Sequence, residues 1–216
     1  MFTGIVEATG TLTEIVRQGA DLTVTIHSNS LDFTDVKLGD SIASNGVCLT
    51  VTQLSANSFC ADVSSETLAN TLFGHYQRGQ VINLEKAMLP TTRLGGHIVS
   101  GHVDGVTEVV RIESAGRSWH IWLALPNALA HYIATKGSVT IDGVSLTVNE
   151  VNKDALRLTI VPHTATQTTI SRLEVGTKVH LEVDVIARYL ERLLHKDTDK
   201  ANGGVSMALL SQRGFL

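Results

Sequence analysis

The chain has 216 residues, 43% of them apolar and 18% charged, which is enough apolar side chain for a packed core and excludes a disordered chain. A formal charge of −4 and an isoelectric point near 6.1 leave no basic field for a phosphate backbone, so nucleic acid is not an expected partner. Domains run to about 100–150 residues, so length alone allows one large domain or two small ones. Eighteen glycines against three prolines, with many Val, Ile and Thr, point to a β-rich fold with frequent turns. Met1-Phe2-Thr3-Gly4-Ile5-Val6-Glu7 carries no basic or long apolar leader, and no apolar run approaches ~18 residues. A cytoplasmic chain with no membrane partner is expected, with Cys48 and Cys60 as reduced thiols.

In chain order, Leu22, Val24 and Ile26 alternate with Thr23, Thr25 and His27, which predicts a strand with one wet face. A short helix is expected over 31–38, and Gly39-Asp40 and Asn45-Gly46 are turn signals bounding further strands. Pro90 and Gly95-Gly96 break the strand pattern, so residues 88–97 read as a linker. Beyond it a short helix is expected over 127–136, followed by turns at Lys136-Gly137, Asp142-Gly143 and Gly176. Strands are predicted where Leu156, Leu158 and Ile160, and then Val179, Leu181, Val183 and Val185, alternate with their neighbours. Val185, Ile186, Tyr189, Leu190, Leu193 and Leu194 recur at helical spacing, so residues 185–196 predict an amphipathic helix. Its stripe either covers a barrel or packs against the same helix in other subunits. Residues 197–216 are expected as a tail, polar and glycine-bearing over 197–205 and loosely docked over 206–216.

The chain is written twice. Ser41-Ile42-Ala43-Ser44-Asn45-Gly46-Val47-Cys48-Leu49-Thr50-Val51 recurs as Ser138-Val139-Thr140-Ile141-Asp142-Gly143-Val144-Ser145-Leu146-Thr147-Val148, an offset of 97 residues. The same register aligns Gly4-Ile5-Val6-Glu7 with Gly101-His102-Val103-Asp104, Thr67 with Thr164, Thr71 with Thr168, Gly79 with Gly176, and Leu84-Glu85 with Leu181-Glu182. A period this long exceeds any solenoid unit, so each copy is a domain, expected as a small closed or nearly closed antiparallel barrel.

At matched positions Cys48 faces Ser145, Ile5 faces His102, Glu66 faces His163 and Gly39 faces Lys136, while Thr50 and Thr147, and Thr67 and Thr164, stay alike. The shared set suits two similar ligand pockets and the divergent set gives them different roles, which suggests two related molecules bound side by side. Taken alone, Cys48 reads as a small inert core residue with no Lys or Arg beside it to lower its pKa. His97 and His102 lack a third ligand at metal-site spacing, so no metal is expected, and Glu182 and Asp184 are not read as an acid–base pair. No phosphate loop, nucleophile elbow or dinucleotide fingerprint appears.

Met1–Glu7, Asn45–Val51, Gly95-Gly96-His97-Ile98-Val99-Ser100-Gly101-His102-Val103-Asp104 and Asp142–Val148 together resemble the riboflavin synthases of the α-chain type, over residues 1 to about 195. The resemblance implies an all-β chain of two tandem six-stranded antiparallel Greek-key barrels, at residues 1–87 and 98–184. It also implies a homotrimer held in part by the C-terminal helix, with the working site between the first barrel of one subunit and the second barrel of its neighbour. The implied reaction is a cofactor-free dismutation of two molecules of 6,7-dimethyl-8-ribityllumazine to riboflavin and 5-amino-6-(D-ribitylamino)uracil. Lumazine synthase is a candidate associated protein.

By the same resemblance the first pocket uses Gly4, Ile5 and Val6, then Cys48, Leu49 and Thr50, then Asp62, Val63, Ser64, Ser65, Glu66 and Thr67, with Phe2 near the rings. The second uses Gly101, His102 and Val103, then Lys136, then Ser145, Leu146 and Thr147, then Val161, Pro162, His163, Thr164, Ala165 and Thr166. Cys48, His102, Ser145 and Thr147 are the expected catalytic residues, Cys48 or a water or hydroxyl near it as nucleophile and the other three as proton relay, with Asp184 in support. The competing reading is a lumazine- or flavin-binding protein without turnover.

Overall fold

A computed structural model of the chain describes residues 1–201 and 211–213. Residues Met1–Asp184 form one compact unit. Its first half holds β1 (Ala8–Gln18), β2 (Asp21–His27), β3 (Ser41–Ser44), β4 (Val47–Leu54), β5 (Ser58–Val63), α1 (Ser65–Asn70) and β6 (Val81–Lys86). The second half holds β7 (Gly105–Ala115), β8 (Ser118–Ala124), β9 (Ser138–Ile141), β10 (Val144–Val151), β11 (Ala155–Ile160), α2 (Pro162–Gln167) and β12 (Lys178–Val183). Each of these elements begins 97 residues after its counterpart.

The strands close into two six-stranded antiparallel barrels with the same order, β1-β2-β5-β4-β3-β6 and β7-β8-β11-β10-β9-β12. In each, the long connection after the second strand carries the chain past the barrel, so that the fifth strand returns beside the second in a Greek key. Even the irregularities repeat. Bulges between Leu12 and Glu14 and between Val51 and Gln53 recur between Val109 and Arg111 and between Val148 and Glu150.

Alternation sorts the side chains as the sequence predicts: Leu22, Val24 and Ile26 enter the first core with Leu12, Phe59, Ile82 and Leu84. Leu123, Val139, Leu156, Leu158, Val179 and Leu181 fill the second. Each such burial is worth about 1.5–3 kcal/mol. The helices differ from expectation. Residues 31–38 form bends that tuck Leu31, Phe33 and Val36 into the first core, and of 127–136 only Ala130–Tyr132 forms a 3₁₀ turn. Tertiary burial fixes both segments, the second through Leu129 and Ile133, which enter the second core. Short helices stand instead at α1, capped by the Ser64 hydroxyl on the Thr67 N–H, and at α2, opened by Pro162.

The barrels pack about a pseudo-twofold relation. The Asn45-Gly46 and Asp142-Gly143 turns meet backbone to backbone; a Cβ on either glycine would lie 2.8 Å from the other's nitrogen. Asn83 donates from Nδ2 to the Asp142 carbonyl and accepts the Thr169 N–H at Oδ1, both at 2.8 Å. Its counterpart His180 donates from Nδ1 to the Asn45 carbonyl and accepts the Leu72 N–H at Nε2, both at 2.7 Å. An imidazole fills both roles only when neutral, and burial holds His180 down to about 4. Burial also pushes the neighbouring Asp142 carboxyl up to about 7, so their 3.5 Å contact is not a charged pair at neutral pH.

The helix α3 (Val185–Ala201) belongs to a separate unit. It runs past residue 196, since nothing before Gly203 breaks a helix. Ile186, Tyr189, Leu190, Leu193 and Leu194 on it are exposed. No helix among the described residues is long and apolar enough to cross a membrane. Of the tail expected over 197–216, residues 197–201 instead continue α3, and all but 211–213 of the remainder lies outside the described residues.

Candidate active site

Two extended straps precede the barrels and meet where Phe2 and Val99 form an antiparallel bridge, Phe2 N–H to Val99 carbonyl at 2.8 Å and the reverse at 3.1 Å. Phe2 and Val99 are themselves 97 residues apart, so the bridge lies on the pseudo-twofold relation. Each strap then crosses to the other half. Cys48 on β4 donates its N–H to the Gly101 carbonyl at 2.8 Å, and Ser145 on β10 donates to the Gly4 carbonyl at 2.8 Å. Val103 packs against the first core and Val6 against the second.

This corrects the grouping expected from sequence. Gly4, Ile5 and Val6 line up with Ser145 on the second barrel, and Gly101, His102 and Val103 with Cys48 on the first. The exchange needs glycines. Gly4 and Gly101 sit at φ +75° and +80°, and a Cβ on them would fall 2.5 Å from Ser145 Cβ and 2.7 Å from Cys48 Cβ.

Glu85 and Glu182 fix the straps. Glu85 accepts the Thr3 N–H at 2.6 Å, the Thr3 hydroxyl at 2.8 Å and the Gly4 N–H at 3.0 Å. Glu182 accepts the Ser100 N–H and hydroxyl, each at 2.7 Å, and the Gly101 N–H at 3.1 Å. Burial raises both carboxyls above the ordinary range, Glu182 to about 7. The signal for them was their alignment at the 97-residue offset, without a chemical motif around either.

Around these crossings the barrels present matched outer faces. On the first, Cys48 is half-buried and Thr50 exposed on β4, while Leu49 and Val63 point into the core. Asp62 accepts the Thr23 hydroxyl at 2.7 Å, and Ser64, Ser65 and Glu66 stand exposed beside half-buried Thr67 at the start of α1. On the second, Ser145 and Leu146 are half-buried and Thr147 exposed; Val161, His163 and Thr166 are exposed, Pro162 and Thr164 half-buried and Ala165 buried. His102 and Ile5 are exposed. Lys136 holds a left-handed φ of +69° where its counterpart Gly39 has +89°, a conformation that costs a residue with a side chain about 1–2 kcal/mol.

The two faces differ most at the bridge. On the first barrel the lining is apolar: Phe2, Ala43 and Val99 pack with Cys48, and Phe2 is wholly buried. On the second, the counterparts of Ala43 and Cys48 are Thr140 and Ser145, and both reach His97. His97 Nδ1 lies 2.7 Å from Ser145 Oγ and Nε2 lies 3.3 Å from Thr140 Oγ1. Burial lowers the pKa of His97, partly offset by the Asp184 carboxylate. A neutral imidazole against a hydroxyl is an acid–base pair, and sequence reasoning missed it because His97 has no counterpart: the matching position would precede Met1.

A cavity of about 600 Å³ opens beside the first strap, lined by Ile5, Ser41, Glu85, Met88 and Arg93. Of the expected site residues only Ile5 reaches it, while Thr50, His102, Thr147 and His163 stand exposed on the surface of the single chain.

The Lumazine binding domain family matches residues 3–87 and again 100–184, one copy per barrel. Riboflavin synthase of Photobacterium phosphoreum is 56% identical over the full length of both chains, and that of Bacillus subtilis (strain 168) is 42% identical over the full length of both. The chain belongs to the riboflavin synthase family. In structure it resembles LumP complexed with riboflavin, with TM-score 0.78, 24% identity, and coverage of 85% of this chain and 99% of that one. LumP complexed with 6,7-dimethyl-8-(1'-D-ribityl) lumazine gives a TM-score of 0.76 at 23% identity over the same shares, which makes the likeness one of fold.

Proposed function

We propose that this chain acts as a riboflavin synthase: it joins two identical molecules of 6,7-dimethyl-8-ribityllumazine, moving a four-carbon unit from one to the other, and releases riboflavin and 5-amino-6-(D-ribitylamino)uracil. The observation that carries this reading is the pair of matched strand faces with unlike chemistry, a thiol in an apolar lining on one and a serine–histidine pair on the other. One substrate species needs two faces of the same shape, and a donor and an acceptor need different groups on them.

The donor lumazine occupies the Cys48 face, where the thiol, or a water held by it, adds to ring carbon C7 and so prepares the bond from C7 to ring nitrogen for cleavage. The acceptor occupies the Ser145 face. With its proton on Nε2 toward Thr140, His97 takes the Ser145 hydroxyl proton at Nδ1, and Ser145 draws a proton from the acceptor's C7 methyl, the carbon that then bonds to the donor's four-carbon unit. His102 and Thr147 return protons later in the sequence. Thr50, Thr147 and backbone groups at the strand ends hydrogen-bond the pyrimidinedione edges, and Lys136 reaches a ribityl chain. Stacking the two rings face to face supplies orientation worth up to about 7–11 kcal/mol of the barrier.

The two faces lie on different barrels and are open in one chain, so the working site pairs the first barrel of one subunit with the second barrel of another. The exposed apolar side chains of α3 support a homotrimer. Incubation of the purified chain with 6,7-dimethyl-8-ribityllumazine alone is expected to yield one riboflavin for every two lumazines consumed. Tight lumazine binding with no riboflavin formed would instead establish a carrier.

A further inference from the structure

We propose that Glu182 and Glu85 are positioning residues whose effect crosses between the halves: Glu182, on the second barrel, sets the wall beside Cys48 on the first, and Glu85 does the same for Ser145 on the second. The inference rests on the reading of Cys48, His102 and Ser145 as pocket residues. Each carboxyl gathers three donors from one strap turn, all of them met by its two oxygens, and in its ionised form it offers only acceptors in return. The next carbonyl along each turn receives the N–H of the opposite barrel's central residue, Gly101 from Cys48 and Gly4 from Ser145. The carboxylate therefore holds the strap at van der Waals contact with a strand it does not itself touch.

The second end of each strap is tied in the same way. Glu7 accepts the Lys86 N–H at 2.9 Å and Asp104 accepts the Val183 N–H at 2.6 Å, one residue after Glu85 and Glu182. Residues 4–6 and 101–103 are thus tied to the home barrel at both ends, by a barrel carboxyl at one and a strap carboxyl at the other, while they pack on the opposite barrel. His102 lies inside this span, and its N–H donates to the Ser100 hydroxyl that Glu182 holds. A glutamine in place of Glu182 turns an NH₂ toward one of the three donors, so at least one hydrogen bond is lost and the strap is released where it covers Cys48.

The test reads the thiol rather than turnover. In a Cys60→Ser background, where Cys48 is the only cysteine, the rate of its reaction with a disulfide reagent reports how closely the Gly101 strap covers it. Glu182→Gln is expected to raise that rate about tenfold, the scale of one lost charge-assisted hydrogen bond, while Glu85→Gln leaves it within about twofold. If Glu182→Gln does not fold, Ser100→Ala, which removes one of the three bonds and frees the His102 N–H, should raise the rate about threefold. An unchanged rate in a folded Glu182→Gln or Ser100→Ala protein, or an equal rise with Glu85→Gln, overturns the crossed assignment. The thiol rate carries no information about lumazine chemistry, so the clamp and the reaction fail separately.

Discussion

The two barrels share strand order, bulges and strap geometry, yet where they meet they use different side chains for the same tasks. Asn83 and His180 satisfy equivalent backbone groups, one with an amide and one with a neutral imidazole. At the bridge, Ala43 and Cys48 in an apolar lining answer Thr140 and Ser145 on His97. At the barrel interface either chemistry serves, because the requirement is one donor and one acceptor. At the bridge the difference is what the proposed reaction requires: a pair of identical faces would treat two identical substrates alike.

Making the faces alike is the largest predicted perturbation. Cys48→Ser should lower turnover by about a hundredfold or more with the fold intact; near-normal turnover would make the thiol structural. Breaking the strap contact comes next. Gly101→Ala places a methyl against Cys48 Cβ at a left-handed φ, so it should cost about 3 kcal/mol in urea unfolding, and a loss below about 1 kcal/mol would mean that the strap yields freely.

His180→Asn copies the first barrel's solution into the second. His180 sits at about 4 in the folded chain against an ordinary 6.5, so its contribution is complete above 6.5 and is lost as the pH falls toward 4. By pH 5 that loss is about 2 kcal/mol. Asp142 and Glu182, both held up to about 7, act in the opposite sense but are common to both proteins. His180→Asn should therefore lose about 2 kcal/mol less stability than the parent between pH 8 and pH 5; superimposable acid limbs would contradict the neutral-imidazole contact. The smallest effect is expected at Lys136→Gly, which matches Gly39. It should gain about 1 kcal/mol of stability and lose affinity for the ribityl chain, and a destabilised variant would refute the strain.

Much of this was legible in the sequence. The 97-residue offset located both barrels, and the Asn45-Gly46 and Asp142-Gly143 turns hold the left-handed φ values those dipeptides favour. What remained hidden was everything that depends on which half a segment packs against. Gly4 and Gly101 read as members of their own repeats, and only the three-dimensional crossing assigns them to the opposite barrel. His97 was unreadable for a related reason: an argument from matched positions cannot see a residue without a match. Glu85 and Glu182 aligned but carried no motif, because their task is to accept backbone donors, which leave no pattern in side-chain identity. The segments at 31–38 and 127–136 read as helices in the sequence, yet their apolar residues enter the two cores from irregular turns instead of following a helical face.

The central claim is that turnover needs the thiol face of one chain against the serine face of another. Mixing inactive Cys48→Ser and Ser145→Ala chains, unfolding them together and refolding tests it directly. Some reassembled sites then combine an intact first barrel from one variant with an intact second barrel from the other, and random assembly should restore roughly a quarter of the wild-type rate of riboflavin formation. A mixture as inactive as its two components would place both faces of a working site within a single chain and contradict the account.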